Sequence, residues 1–258
     1  MKITIITVAF NAAETIADTL RSVSEQTYED IEHILIDGAS KDATLSVAKA
    51  HGAHLAKCIS EPDRGIYDAM NKGIAMATGD VIGFLNADDF YASRDAVKTI
   101  AAAFTDPDID ACYGDLLYVS KTNPSSIVRY WRSSIYERGS FRKGWCPPHP
   151  TFFVRRKVYE INGGFSLEYK IAADAEIMFR LLEVKRIKAT YIPKTIVKMR
   201  TGGESNKSIR NVISQNREII RFMNTSNGKK VSLVYFLWHK TFSKVTQFIA
   251  RPRIDVKR

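Results

Sequence analysis

Short apolar runs alternate with segments of helical periodicity through the first half of the chain. The β-branched run at 2–9 predicts a strand, and apolar residues at 13–23 recur at helical spacing. Similar patterns predict strands at 31–36, 55–59, 81–85 and 109–118 and helices at 43–50, 67–77 and 95–104. Asn11 is expected to cap the first helix, with Glu14 reaching back to it. This alternation predicts an α/β fold with a mostly parallel sheet flanked by helices.

Stretches rich in polar residues follow four of the predicted strands. They lie at 7–11, 37–40, 61–65 and 86–89. The carboxyl ends of parallel strands meet at one edge of a sheet, where open α/β sheets bind their ligands. The fourth stretch contains the adjacent carboxylates Asp88 and Asp89, which could hold a divalent cation on phosphate groups. Alternatively, this pair caps the next helix.

Composition fits a protein that buries a full core. The chain has 258 residues, of which 45% are hydrophobic. Its three cysteines are far apart and odd in number, which argues against a disulfide framework or a zinc site and favours the cytoplasm. We interpret the apolar N-terminal run as a strand, since it is short for a signal peptide. No stretch approaches the roughly 20 apolar residues of a membrane-spanning helix.

The net charge of +10 is concentrated in the C-terminal segment 201–258. Twelve Lys and Arg residues against three acidic residues give this segment a charge of +9. Apolar residues, among them Phe236, Leu237 and Trp238, lie between the basic ones. This pattern predicts docking on an anionic membrane surface. Nucleic acid would also attract the segment, and a helix that packs its apolar residues on its own domain would show the same pattern.

Two common nucleotide-binding motifs are absent. No Gly-x-Gly-x-x-Gly follows the first strand and no Gly-x-x-x-x-Gly-Lys-Ser/Thr occurs, which argues against a dinucleotide oxidoreductase and a P-loop ATPase. A nucleotidyltransferase would carry a glycine-rich basic loop for a triphosphate, and 7–13 has none. A nucleic-acid-binding protein leaves the acidic strand ends unexplained, because carboxylates repel phosphate unless a metal is present. The remaining candidate ligand is a nucleotide whose diphosphate binds a metal ion.

Four sequence blocks near the N-terminus carry a more specific signal. They are ITVAFN at 6–11, EQTYEDIEHILIDGASKDAT at 25–44, SEPDRGIYDAMNKGIAMATGD at 60–80 and FLNADD at 84–89. As a set they resemble the family 2 glycosyltransferases with the GT-A fold, which has a Rossmann-like central sheet. Weaker matches follow at 147–156 and 172–181. The order of the blocks is similar to that in enzymes that assemble bacterial exopolysaccharide, capsule or O-antigen.

The resemblance implies a base pocket at the ends of the first two strands. Asp37 would accept a hydrogen bond from the nucleotide base. An acceptor-only carboxylate suits the imide N–H of uracil, so a UDP-sugar donor is expected. Thr7, Ala9 and Asn11 would line the same pocket. Asp37 could instead cap a turn.

The resemblance also implies a diphosphate and metal site. Arg64 would meet the diphosphate, because a guanidinium binds phosphate in a fork, although it could also be an ordinary surface arginine. Asp68 and Asn71 share one helix face and would line the donor pocket. The motif Asn86-Ala87-Asp88 occupies the place of the family's Asp-x-Asp. Asn86 brings no charge and could bond a sugar hydroxyl, so Asp88 is expected to hold Mn²⁺ or Mg²⁺.

The resemblance implies an inverting mechanism with Asp174 as general base. Glu176 is the weaker candidate, and either carboxylate could simply favour a helix N-terminus. His149 would lie in a constrained loop near the diphosphate or the acceptor, or be structural. Aromatic residues at 133–146 would bind an acceptor sugar or form a satellite core.

The expected organisation has one catalytic domain and one appendage. Residues 1–200 would form the GT-A domain, with a nucleotide-sugar half at 1–120 and an acceptor half at 121–200. Residues 201–258 would form a basic helical extension. The resemblance implies a saccharide acceptor on a polyprenyl diphosphate. The enzyme would then work peripherally at the cytoplasmic face of the membrane, with no nucleic-acid partner.

Overall fold

Four parallel strands form one half of the central sheet. The computed structural model describes residues 1–202, 209–227, 231–232 and 235–238. The strands β1 (Ile3–Ala9), β2 (Ile31–Asp37), β3 (Leu55–Ser60) and β4 (Val81–Phe84) lie in the order β3-β2-β1-β4. Because structure covers both sheet faces, β1 is buried along its whole length. The predicted bounds of all four strands are confirmed to within one residue.

The other half of the sheet is mixed. Strand β8 (Phe153–Arg155) pairs antiparallel with β4 and with β6 (Ala111–Val119), and β9 (Ala189–Arg200) runs parallel to β6. The short β5 (Phe90–Tyr91) pairs with β9, and β7 (Ile127–Trp131) pairs with β6, both antiparallel. The order of the described strands is β3-β2-β1-β4-β8-β6-β9-β5, with β7 beside β6. The predicted α/β fold is confirmed.

Helices flank the sheet. Those described are α1 (Ile16–Ser24), α2 (Thr44–His51), α3 (Ile66–Met76), α4 (Ala96–Ala103), α5 (Arg156–Asn162), α6 (Ala173–Phe179) and α7 (Ile209–Asn227). A π-helical turn at Arg180–Val184 continues α6. The predicted capping of the first helix by Asn11 is wrong. Asn11 has a φ of 49°, and its Oδ1 accepts the Lys41 N–H at 2.9 Å instead.

The described part of the C-terminal segment packs into the main core. On α7, Phe222 and Met223 are buried, and the ring of Phe222 lies 5.3 Å from that of Phe179 on α6. Phe236 is 2% exposed and joins the same cluster, with Leu237 packed against it. The alternative that the segment packs its apolar residues on its own domain therefore accounts for Phe236. Among the described residues, α7 and Phe236 share one hydrophobic cluster with residues before position 200.

Trp238 differs from its neighbours because it is 74% exposed. Within the described part of the chain, no helix is both long and apolar enough to cross a membrane. The rest of the predicted basic extension, at 203–208, 228–230, 233–234 and 239–258, lies outside the described residues.

Candidate active site

Asp37 is buried at the end of β2 and organises the loop that follows. Its Oδ2 accepts hydrogen bonds from the Ser40 N–H at 3.0 Å and the Ser60 hydroxyl at 2.6 Å, and its Oδ1 accepts the Ser40 hydroxyl. The turn-capping alternative is therefore present in the structure. Each carboxylate oxygen has more than one acceptor site. With these contacts, the Asp37 side chain is fully buried in this structure.

Three loops meet around Gly38, next to Asp37. A Cβ at this position would lie 2.5 Å from Oδ2 of Asp63 and 3.4 Å from the ring of Phe10, so only glycine fits without a shift. The Gly38 N–H donates to the carbonyl of Ala9 at 2.9 Å, which joins the ends of β1 and β2. Phe10 is 65% exposed and offers a flat aromatic surface here. Sequence analysis did not single out Phe10, although an aromatic residue directly after a buried strand was a usable signal.

Thr7 is placed away from any opening. Its side chain is fully buried, and its hydroxyl lies 2.9 Å from Nε2 of His33. Burial lowers the pKa of His33 to about 3, with a smaller contribution from the nearby His54. The Thr7 hydroxyl therefore contacts His33, and the place of Thr7 in the base pocket stays a prediction. Asn11 does lie at the rim, where its N–H donates to the Ser40 hydroxyl at 2.8 Å.

Arg64 is held at the start of α3 by Asp68. The guanidinium donates to Oδ1 of Asp68 at 2.8 Å, and the Arg64 N–H donates to Oδ2 at 3.1 Å. The hydrogen bonds from Arg64 lower the pKa of Asp68. The Arg64 side chain itself is 76% exposed, so its remaining N–H groups face solvent. Asp68 therefore orients the arginine, whereas the sequence predicted that it lines the pocket.

Asn71 joins α3 to the loop that follows α5. Its Nδ2 donates to the carbonyl of Phe165 at 2.9 Å, and its Oδ1 accepts the Phe165 N–H at 2.8 Å. Both ends of the amide are thus occupied by one backbone residue. The Asn71 side chain is therefore bound to the loop after α5, and its role in the donor pocket stays a prediction.

The segment after β4 concentrates carboxylates. Asp89 is completely buried, its Oδ1 accepts the Arg200 N–H at 3.3 Å, and its Oδ2 has no partner among the described residues. Burial, and then the charge of Asp88, raises the pKa of Asp89 well above its usual value. Burial also raises the pKa of the partly exposed Asp88. Ala87 is 5% exposed and leaves room between the polar side chains.

Arg200, at the end of β9, supplies the positive charge for this cluster. It is 5% exposed, its Nη1 donates to the Asp88 carbonyl at 2.8 Å, and its Nη2 lies 2.5 Å from Oδ2 of Asp18. A buried guanidinium with these contacts offsets the cost of burying Asp89. Sequence analysis missed Arg200, which lies more than a hundred residues from Asp88.

The donor set after β4 fits a divalent cation that is shared with a ligand. Asp88 offers a carboxylate, and Oδ1 of Asn86 is buried without a partner among the described residues. Such hard oxygen ligands suit Mg²⁺ and Mn²⁺, which retain positions for phosphate and water. In the described ranges, no group of three or more His, Cys, Asp and Glu side chains could hold a metal alone. Most ligands of a cation here would come from the bound diphosphate.

Asp174 lies in the first turn of α6. Its Oδ1 is 3.2 Å from the hydroxyl of Tyr67, which is also 2.8 Å from the carbonyl of Ile171. Burial, and then the charge of Asp174, raises the pKa of Tyr67 well above its usual value, so the phenol stays a donor. Glu176, the weaker candidate, is committed to an ion pair with Arg180 at 2.9 Å. Asp174 is therefore the better placed of the two.

His149 connects the Asp174 region with the end of β4. Its ring stacks on Phe84 at 5.7 Å and meets Phe165 edge-on at 5.6 Å, and Phe84 lies two residues before Asn86. Both ring nitrogens are buried, and neither has a hydrogen-bond partner within the described chain. Burial lowers the pKa of His149, against the opposing charge of Asp174. A neutral imidazole with one free donor and one free acceptor suits a polar ligand.

The aromatic segment at 133–146 is mostly a satellite core. Phe141 is 4% exposed and meets Phe179 at 5.5 Å and Trp145 at 5.5 Å. The Tyr136 hydroxyl donates to Glu183. The packing alternative therefore accounts for Phe141, while Tyr136 and Trp145 remain partly exposed.

Comparison with known proteins identifies the family. The model of the family described as Glycosyl transferase family 2 matches residues 4–161, more than half of the chain. The chain therefore belongs to glycosyl transferase family 2 and is a glycosyltransferase. It is similar to the PGL/p-HBAD biosynthesis glycosyltransferase of Mycobacterium bovis, with 29% identity over 248 residues that cover 93% of this chain and 92% of the relative.

Solved structures show that the fold is GT-A. S. aureus TarS 1-349 in complex with UDP-GlcNAc aligns with a TM-score of 0.67 and 18% identity, covering 99% of this chain and 77% of that chain. The mannosyltransferase PcManGT from Pyrobaculum calidifontis, in complex with GDP-Man and Mn²⁺, aligns with a TM-score of 0.66 and 19% identity over 98% of this chain and 76% of that one.

Proposed function

We propose that this glycosyltransferase moves a sugar from a UDP-sugar to a hydroxyl of a saccharide acceptor with inversion. One observation carries the proposal. Oxygen ligands for a divalent cation, from Asn86 and Asp88, and a separate carboxylate, Asp174, are linked by the packed rings of Phe84, His149 and Phe165 and the adjoining Tyr67. A single displacement needs these two parts, one for the leaving diphosphate and one for the attacking hydroxyl.

The donor would lie along the carboxyl ends of β1 to β4. The exposed ring of Phe10 would stack on the base above Ala9, and Asp37 would accept the imide N–H once the Ser40 loop shifts. One acceptor carboxylate matches the one imide N–H of uracil. Arg64, oriented by Asp68, has N–H groups free to meet the diphosphate.

The metal ligands and the general base would act in two separate parts of the site. A bound Mg²⁺ or Mn²⁺, held by Asp88 and Asn86, would neutralise charge that develops on the diphosphate. Asp174 accepts the proton of the acceptor hydroxyl as this oxygen attacks the anomeric carbon. The Tyr67 hydroxyl lies 3.2 Å from Oδ1 of Asp174, and Oδ2 would meet the acceptor. His149 can donate a hydrogen bond to donor or acceptor without adding a charge.

A screen of nucleotide sugars and a substitution of Asp37 test the proposal that the donor is a UDP-sugar. Among nucleotide sugars screened with Mn²⁺ or Mg²⁺, UDP-sugars are expected to give the largest thermal stabilisation and slow hydrolysis. Asp37→Asn should weaken UDP binding about tenfold or more in calorimetry, since an amide can present a donor to the imide N–H. Asp108→Asn, which changes an exposed carboxylate that pairs with Lys188, is the matched control. Unchanged UDP affinity in the Asp37 variant would move the base pocket elsewhere.

We also propose that the acceptor is linked to a polyprenyl diphosphate in bacterial surface polysaccharide synthesis and that the enzyme binds the membrane peripherally. The charge of +9 after residue 200 and the exposed side chains of Tyr235 and Trp238 support this. Basic residues near an anionic surface contribute about 1 kcal/mol each, and interfacial aromatic residues add to this.

Membrane binding is tested by sedimentation with anionic liposomes. We expect binding at low salt, partial release at high salt, and weaker binding of Trp238→Ala. Ile161→Ala removes an equally exposed apolar side chain on α5 and serves as the control. A point substitution is preferable to truncation, because removal of Phe236 would open the core. Equal binding to neutral and anionic liposomes would contradict the electrostatic part of the proposal.

A further inference from the structure

Glu218 on α7 holds the backbone that leads into α6. Its Oε1 accepts the N–H of Lys170 at 3.2 Å, and its Oε2 accepts the N–H groups of Ile171 at 3.0 Å and Ala172 at 2.9 Å. Three successive main-chain donors thus converge on one carboxylate. Hydrogen bonds to an ionised acceptor are about twice as strong as neutral ones.

The held segment ends two residues before Asp174. On its other side, the Tyr67 hydroxyl contacts both the Ile171 carbonyl and Oδ1 of Asp174. The turn that carries Asp174 is therefore fixed from α3 by a phenol and from α7 by a carboxylate. No side chain of its own caps α6, since Ala172 precedes the helix and its methyl group cannot accept a hydrogen bond.

Packing sets the distance between Glu218 and this turn. Phe222, one helical turn after Glu218, meets the ring of Tyr169 at 5.7 Å and that of Phe179 at 5.3 Å. These two aromatic residues lie before and after the Asp174 turn. Because the contacts bracket the turn, α7 cannot slide along α6 without disturbing buried rings.

We propose that Glu218 is a positioning residue that fixes the place of the Asp174 carboxylate relative to the acceptor hydroxyl. The inference rests on the proposed role of Asp174 as general base. Glu218 needs no contact with either substrate, because it acts through the backbone of Ile171 and Ala172. A displacement of about 1 Å between reacting groups can reduce the rate on the order of 100-fold.

The test compares Glu218→Gln with Glu168→Gln. A glutamine side chain on α7 would offer one acceptor oxygen and an amide group that cannot accept the converging N–H groups. We expect kcat for sugar transfer to fall about tenfold or more, with UDP affinity and donor KM unchanged and the protein still folded. Glu168 lies in the loop before α6, and its side chain is 72% exposed and forms an ion pair with Arg221 at 3.9 Å, so its variant should keep full kcat. Glu218→Asp keeps the charge and should retain more turnover than Glu218→Gln.

Three other outcomes distinguish failure of the positioning role from failure of the proposed function. If Asp174→Asn loses transfer while Glu218→Gln keeps wild-type kcat, the positioning role is overturned and the proposed function stands. If Asp174→Asn keeps transfer, the proposed function itself fails. If Glu218→Gln loses UDP affinity and unfolding temperature together with kcat, or does not fold, Glu218 serves only the stability of the fold and the inference is also overturned.

Discussion

Replacement of Asp174 by Asn is expected to abolish sugar transfer, with kcat about 1000-fold lower, while UDP still binds with wild-type affinity. The amide cannot accept a proton, and a positioned general base contributes roughly 100-fold to 10,000-fold. The fold should persist, because Asn keeps the size of the side chain and can still accept from Tyr67. The measurement is single-turnover transfer alongside calorimetry with UDP.

Tyr67→Phe is a milder variant whose effect on transfer is compared with that of Asp174→Asn. It removes the hydroxyl near Asp174 and retains the ring that stacks on Phe165 at 5.6 Å. Transfer should fall less than in the Asp174 variant. If donor affinity in Asp174→Asn drops as far as turnover, Asp174 binds the donor and another group removes the proton.

Replacement of Asp88 by Asn should remove metal-dependent turnover, with a loss of about 100-fold or more at a fixed Mn²⁺ concentration. Asp88 supplies the charged ligand of the expected cation, and Asn86 supplies only a neutral oxygen. The side chain of Asp88 is partly exposed, so its loss should affect the fold little. Activity is measured across a Mn²⁺ and Mg²⁺ titration, with thermal unfolding as the check on folding.

Two further variants test the assignment of Asp88 to the metal site. Asp108→Asn changes an exposed carboxylate that pairs with Lys188 at 2.7 Å and should leave metal dependence unchanged. Asn86→Asp restores two carboxylates in the motif and should lower the metal concentration that gives half-maximal activity. Full activity of Asp88→Asn at every metal concentration would remove Asp88 from the metal site.

The parallel half of the sheet could be predicted from sequence because its signals are local. Strands β1 to β4 are apolar runs followed by polar residues, and those patterns fix both the element and the edge where ligands bind. Strands β5 and β8 have two and three residues, too few to show a period, and they form only through pairing with β9, β4 and β6. The mixed half of the sheet was therefore not predicted in detail.

The same limit applies to the site residues, because local patterns do not reveal contacts between distant parts of the chain. The residue pattern pointed to Asp88 and the family resemblance to Asp174, but neither could show that the amide of Asn71 binds the backbone of Phe165. Arg200 and Glu218 act on residues far away in sequence, at Asp88 and at Ile171. Each lies near another charged residue, Lys198 before Arg200 and Arg217 beside Glu218, so no local pattern distinguished either of them.

The contact between Glu218 and the backbone before α6 also sets an order of events during synthesis. The ribosome releases β1 to β4 and the Asp174 segment first, and α7 emerges only afterwards. Until residue 218 leaves the exit tunnel, the turn that carries Asp174 lacks its three hydrogen bonds from that side. A nascent chain can therefore form β1 to β4 before the turn that carries Asp174 gains these hydrogen bonds, so that turn is completed late in translation.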